Sequence, residues 1–161
     1  MRRSSLLLAS LVIIAVALPL FSNDIDADAR LKGAFRKPAQ NGWIYVHLEG
    51  TPYNIGFQHG YLLAPEIQDA EKVVVLEQTH GGRKDWKFFR NAARDMMWPH
   101  IEEEYRQELQ GLSAGLRAKG VKLDLWDVVA LNAFCEWGYY VKEYNRQHGA
   151  RSSAALALPA A

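Results

Sequence analysis

Read for the alternation of apolar and polar positions, the chain resolves into one strand and four or five helices. WIYVHLEG (43–50) places Trp43, Tyr45 and His47 on one side and Ile44, Val46 and Leu48 on the other. That is the period of a half-buried strand. Thr51 followed by Pro52 combines a capping residue with a proline at the first helical position, which sets YNIGFQHGYLLA on the first turns of a helix. Pro65 bends or restarts it, and EIQDAEKVVVLEQTH then runs to a predicted stop at Gly81 and Gly82. DWKFFRNAARDMMW predicts a short helix capped by Asp85. From Pro99 onward, Ile101, Tyr105, Leu109, Leu112 and Leu116 form one apolar stripe, which ends at Gly120. LWDVVALNAFCEWGYYV, entered through Asp124 with Asp127 three residues later, is apolar around nearly its whole circumference. This predicts a single helix buried on most sides.

The two ends depart from this pattern. MRRSS, the 16-residue apolar run LLLASLVIIAVALPLF and ADA before Arg30 have the order of a secretory signal. Cleavage after Ala29 would leave a secreted or periplasmic protein with no membrane segment. An uncleaved anchor is the alternative, since the run approaches the roughly 17 to 25 residues that span a bilayer. Residues 30–42 read as an aperiodic lead-in, residues 43–150 as the ordered domain, and residues 151–161 as an unstructured tail. A lone strand does not make a sheet. The strand at 43–48 therefore either pairs in another molecule or belongs to a longer chain.

Composition adds limits. With 161 residues, 49% hydrophobic and 23% charged, the chain has the make-up of one globular domain. Loss of the signal would remove Arg2, Arg3, Asp24, Asp26 and Asp28 and leave a slightly basic protein. So small a charge gives no reason to expect nucleic acid as a partner. Cys135 is the single cysteine, so the chain has no internal disulfide.

Candidate chemistry is sparse. His100 with Glu103 and Glu104 offers metal-ligating atoms, but without a second histidine at metal spacing it reads as a solvated charged face, and no metal or cofactor is expected. Cys135, flanked by Phe134 and Trp137 with no histidine near in sequence, reads as a buried structural thiol. Asn132 and Glu136 lie four apart on the apolar helix, where a buried carboxylate needs partners. They are either a polar cluster lining a site or a structural hydrogen-bonded pair. Gly56 and Gly60 also share a helical face, which lets another backbone approach closely at a cost of about 1 kcal/mol per glycine. Gln58 and His59 stand beside that notch.

Two stretches, GWIYVHLEGTPYNIGFQHGYLLAPEI and EEEYRQELQGLSAGLRAKGVKLDLWDVVALNAFCEW, carry the signatures G-F-x-H-G and E-L-x-G-L-x-x-G. From about Lys32 to Tyr144 the chain resembles the N-terminal part of the phospholipase B-like and C45 acyltransferase group of N-terminal-nucleophile hydrolases. The resemblance implies an αββα sandwich whose precursor cuts itself before a cysteine. That cysteine then attacks an amide or ester carbonyl, with its freed amino group as general base. In that family a Cys-Ser pair follows the helix that resembles residues 125–144. Here no Cys-Ser pair occurs, so the nucleophile is expected beyond Ala161.

The resulting expectation is an α+β, mostly helical N-terminal fragment, inactive alone. Its partner would be the missing C-terminal portion of the same polypeptide, and its substrate a small amide or acyl ester. Gln58, His59, Asn132 and Glu136 would support or line the site. A small secreted helical binding module, presenting Tyr139, Tyr140 and Tyr144 to a partner, is the alternative.

Overall fold

The computed structural model describes residues 28–80 and 84–155, with side chains through Arg146. The expected signal, the Gly81–Gly82 stop and the last residues of the tail lie largely or wholly outside them. The described part is mostly helical with one small sheet, compatible with an α+β class.

The strand finds its partner inside the chain. β1 (Phe35–Arg36) pairs antiparallel with β2 (Val46–His47), so the segment expected to be an aperiodic lead-in supplies half of a hairpin. Asn41 and Gly42 make its turn with φ of 50° and 83°. Two successive positive φ values match the right-handed twist of the flanking strands, and Asn-Gly is the sequence that tolerates them. Gln40 and Trp43 close the turn through two 2.9 Å backbone hydrogen bonds. Between that pair and the one linking Lys37 N–H to the Tyr45 carbonyl, Pro38 and Ala39 stand opposite Ile44 alone. The extra residue makes a bulge, where a proline without an N–H costs no ladder bond. The ladder is therefore much shorter than the alternation over 43–48 suggested.

α1 (Pro52–Leu62) starts as the sequence predicts, with Thr51 accepting from Asn54 N–H. α2 (Ala64–Thr79) restarts around Pro65. α3 (Trp86–Ala92) is capped by Asp85 and continues through a π-helical stretch, Ala93–Met97, and a 3-10 turn, Trp98–His100. α4 (Glu103–Ala118) begins four residues later than the apolar stripe suggested, because Pro99 sits in that tight turn. It ends where Gly120, at φ 78°, lets Val121 N–H reach the Leu116 carbonyl and Gly120 N–H the Arg117 carbonyl. These bonds satisfy the terminal carbonyls of the helix.

The apolar segment after Asp124 is not one helix. α5 (Leu125–Asn132) carries the reciprocal cap between Asp124 and Asp127, then breaks at Ala133 into a 3-10 turn, Phe134–Glu136. α6 (Trp137–Ala155) follows and runs into residues expected to be unstructured. Trp137, the first residue after the break, is fully buried. Its indole N–H donates to the Ala130 carbonyl at 3.0 Å, and its ring meets Phe89 edge-on at 5.3 Å. The indole belongs to one buried core together with Phe89, Leu109, Leu112, Leu116, Val128 and Val129.

α1 and α4 pack backbone to backbone through glycine on both sides. A Cβ on Gly56 would lie 1.9 Å from the Glu108 carbonyl oxygen, and one on Gly60 would lie 2.1 Å from that of Leu112. Reciprocally, a Cβ on Gly111 or Gly115 would come within 2.0 Å and 2.1 Å of the Tyr53 and Phe57 carbonyl oxygens. Two glycine pairs at the same spacing of four thus mesh backbone to backbone. Gly60→Leu should lower stability by about 3 kcal/mol or more, because a side chain has no room there. Gly138, whose Cβ would meet nothing within 4 Å, provides the contrast. Gly138→Ala should be neutral or stabilising by up to about 1 kcal/mol. Thermal unfolding of the two variants checks both; equal behaviour would contradict the close packing.

Candidate functional site

Immediately beside the glycine contact, α1, α2, α4 and α5 enclose a cleft of about 380 Å³. Ile67 and Val74 of α2, Leu109 and Leu112 of α4 and Leu131 of α5 make its walls largely apolar. Three polar residues enter it: His59 from α1, Glu108 from α4 and Asn132 from α5. The glycine mesh sets this arrangement, since Gly60 follows His59 directly and Glu108 is the residue whose carbonyl meets Gly56.

Burial lowers the His59 pKa below the ordinary histidine value, and the Glu108 carboxylate opposes that shift without cancelling it. The imidazole is accordingly neutral at pH 7, with one nitrogen able to donate and the other able to accept. Asn132 commits its amide nitrogen to the Val128 carbonyl at 3.0 Å, closing the end of α5. Among the described residues lining the cleft there is no serine, threonine, cysteine or lysine. The arrangement can hold a partly apolar group and hydrogen-bond its polar end, and it can move a proton at His59. Among the described residues that line it, none offers a hydroxyl, thiol or amine nucleophile.

Two of the four residues expected to support a site are therefore brought together, His59 and Asn132, and two are not. Gln58 is buried on another face of α1. Its Oε1 accepts from Glu49 N–H at 2.8 Å, while its Nε2 donates to the Glu49 carbonyl at 2.8 Å and to the Arg30 carbonyl at 2.7 Å. Both polar ends of its amide are used, tying the segments that flank the hairpin, at Arg30 and Glu49, to α1. Glu136 is exposed in the 3-10 turn after α5. The break at Ala133 removes the i, i+4 relation with Asn132, so there is no buried carboxylate here.

Cys135 lies on the same turn and is exposed, which corrects its reading as a buried thiol. Burial passes instead to Trp137. His100, Glu103 and Glu104 are all exposed, and among the described residues no group of three His, Cys, Asp or Glu side chains is placed to hold a metal ion.

The sequence marks Glu108, the carboxylate facing His59, only as the first residue of the E-L-x-G-L-x-x-G signature, without a site role, and Asp127 only as part of a cap. Asp127 is buried, accepting from the Trp86 indole at 3.0 Å and from Arg90 at 2.6 Å, while the other arm of Arg90 reaches Asp124. A charge at this depth persists because it is paired and hydrogen-bonded. A signal for Glu108 was present: it lies three residues before Gly111, on the helix carrying the second glycine pair.

No family model matches the chain, and no solved structure matches it. An uncharacterized protein of Archaeoglobus fulgidus is 33% identical to it over 99 residues, which cover 57% of this chain and 16% of that protein. The chain thus matches only a small part of this relative's length.

Two measurements check the site. Below about pH 6.5 the unfolded chain takes up a proton at His59 before the folded chain does. The stability owed to a neutral His59 is therefore full above that value and is lost as the pH falls through it. In an NMR titration His59 should show a midpoint below the ordinary histidine value, and Glu108→Gln should move it lower still; an upward move would contradict their proximity. Gln58→Leu, which leaves the Glu49 N–H without its acceptor, should destabilise by about 1 to 3 kcal/mol in chemical denaturation. A neutral result would mean that the hairpin is held by other contacts.

Proposed function

We propose that this chain is the exported N-terminal portion of a cysteine N-terminal-nucleophile hydrolase that acts on amide or acyl-ester bonds. The observation that carries this reading is the cleft itself, which brings an imidazole, a carboxylate and an amide onto apolar walls, with no serine, threonine, cysteine or lysine among the described residues that line it. In this reading the nucleophilic cysteine and the larger part of an αββα sandwich come from polypeptide following residue 161. The cysteine's own α-amino group serves as base, so no metal or cofactor is required. His59 and Asn132 position the substrate or the nucleophile, and Gln58 holds the hairpin in register with them.

Other features favour the same reading. α2 buries only Ala64 fully, and Val73 and Leu76 are 63% and 64% exposed. Most helical stability in proteins comes from packing of an apolar face, so such a helix suits a surface completed by further chain. The two-stranded hairpin, with Trp43 82% exposed and Tyr45 54% exposed, is likewise short for a sheet that stands by itself. The matched stretch of the archaeal relative is also a small part of a larger protein. For export, the support is the order of basic, apolar and small residues over 1–29. Among the described residues no helix is long and apolar enough to cross a membrane.

The test expresses residues 30–161 alone and joined to the downstream reading frame, then assays hydrolysis of amide and ester substrates. Activity is expected only in the longer product, and only with a cysteine at its self-cleavage point. Turnover by residues 30–161 alone would overturn the reading. In the longer product His59→Gln should lower activity by about tenfold while the protein stays folded, as suits a positioning group. Complete loss of activity would instead make His59 part of the catalytic machinery.

A further inference from the structure

A second cavity, of about 490 Å³, opens between α6 and the α3 segment with its π-helical continuation. It shares no lining residue with the His59 cleft. Phe88, Tyr140 and Tyr144 contribute its aromatic surface. The Phe88 ring stands edge-on to Tyr144 at 5.0 Å and tilted to Tyr140 at 5.8 Å, and the two tyrosine rings are 6.2 Å apart. Asp95 from the π-helical stretch and Glu143 from α6 bring carboxylates to the same cavity. Aromatic faces carry negative potential and attract cations, and a nearby carboxylate strengthens the attraction. The chain already uses these rings in that way: the Lys84 ammonium lies 4.4 Å from the centre of the Tyr144 ring and 4.8 Å from that of Phe88.

We propose that this cavity between α3 and α6 binds an organic ammonium cation, received on the rings of Phe88, Tyr140 and Tyr144 with Asp95 and Glu143 as its counter-charges. A quaternary ammonium group is the class that fits best. It is large enough to touch several rings at once and, lacking N–H donors, loses little by leaving water for an aromatic wall. The cavity volume falls in the range of ordinary small-ligand sites. The charge balance argues for an organic cation over a small inorganic one. Asp95 is bonded to Arg94 and Glu143 to Arg146, so the carboxylates offer a shared field and not a bare chelating pair. The Tyr140 phenol has its pKa raised by burial, by Tyr144 and by Asp95, so it takes part as a neutral ring and the negative charge of the cavity lies on the carboxylates. Lys84 is then an internal competitor, a positive charge on the rings that an incoming ligand must outbid or displace.

The test is a calorimetric titration of the full chain at constant ionic strength, with choline chloride as probe and 3,3-dimethylbutan-1-ol as its neutral isostere. Choline should bind saturably, and the isostere about tenfold or more weakly. Tyr144→Phe, which keeps the ring, should retain binding, and Tyr144→Leu should weaken it by about tenfold. Asp95→Asn should weaken it by about threefold or more. Because ring removal can also disturb folding, the deciding variant is Lys84→Met. It removes the internal cation and should tighten choline binding severalfold, a gain that no folding defect produces. Absence of saturation, equal affinity for the neutral isostere, or unchanged or weaker binding in Lys84→Met would each overturn the proposal. The hydrolase reading does not depend on the result, since the two cavities have separate walls.

Discussion

The meshing of Gly56 and Gly60 with Gly111 and Gly115 is the contact on which the remaining geometry depends. Helices bearing ordinary side chains pack with axes 8 to 10 Å apart, whereas α1 and α4 approach until each glycine faces a carbonyl oxygen of the other helix. This spends about 1 kcal/mol of helix propensity at each glycine, which close backbone packing over four positions offsets. Everything flanking the mesh is thereby placed. His59 comes next to Glu108 on one side. On another, Phe57 and Gln58 turn toward the N-terminal segment, where Arg30 lies 3.6 Å over the Phe57 ring and Gln58 grips the Glu49 backbone.

The second half of the fold is organised around a different constraint, the burial of one large polar-edged side chain. Trp137 enters the core just after α5 stops at Asn132 and the 3-10 turn Phe134–Glu136 interrupts the helix. The turn exposes Phe134, Cys135 and Glu136 and leaves Asn132 at the mouth of the cleft. Asp127 and Arg90 tie α5 to α3 from the opposite end, with the Trp86 indole as a third partner. Site and core are consequently not separable here. The same break that buries the indole delivers Asn132 toward His59 and directs Glu136 away.

Much of this was legible residue by residue. Thr51, Pro52, Pro65, Asp85, Asp124 and Gly120 act where local chemistry says they should, since capping and φ restriction involve only near neighbours. The close-approach notch at Gly56 and Gly60 was equally visible as a spacing. Its counterpart at Gly111 and Gly115 was visible as the two glycines of the E-L-x-G-L-x-x-G signature, but nothing local says that this notch faces the first one. The hairpin was half seen. Asn41-Gly42 is a strong turn marker, but the strand before it is only two residues long and is followed by a bulge at Pro38, too short for any period to appear.

The N-terminal signal pattern, the helix starts and stops, the glycine spacing and the absence of a Cys-Ser pair are properties of the sequence by itself, because each rests on residues adjacent along the chain. Tertiary structure decided which polar residues meet. His59 faces Glu108 across a helix pair separated by 49 positions, Gln58 is consumed by backbone groups of the hairpin, and Asn132 parts from Glu136 at a break made by Trp137. An apolar run cannot show such a break, since a helix interrupted to bury an indole and a helix buried on every side present the same composition. The difference lies in which neighbour the indole finds, and that neighbour is remote in sequence.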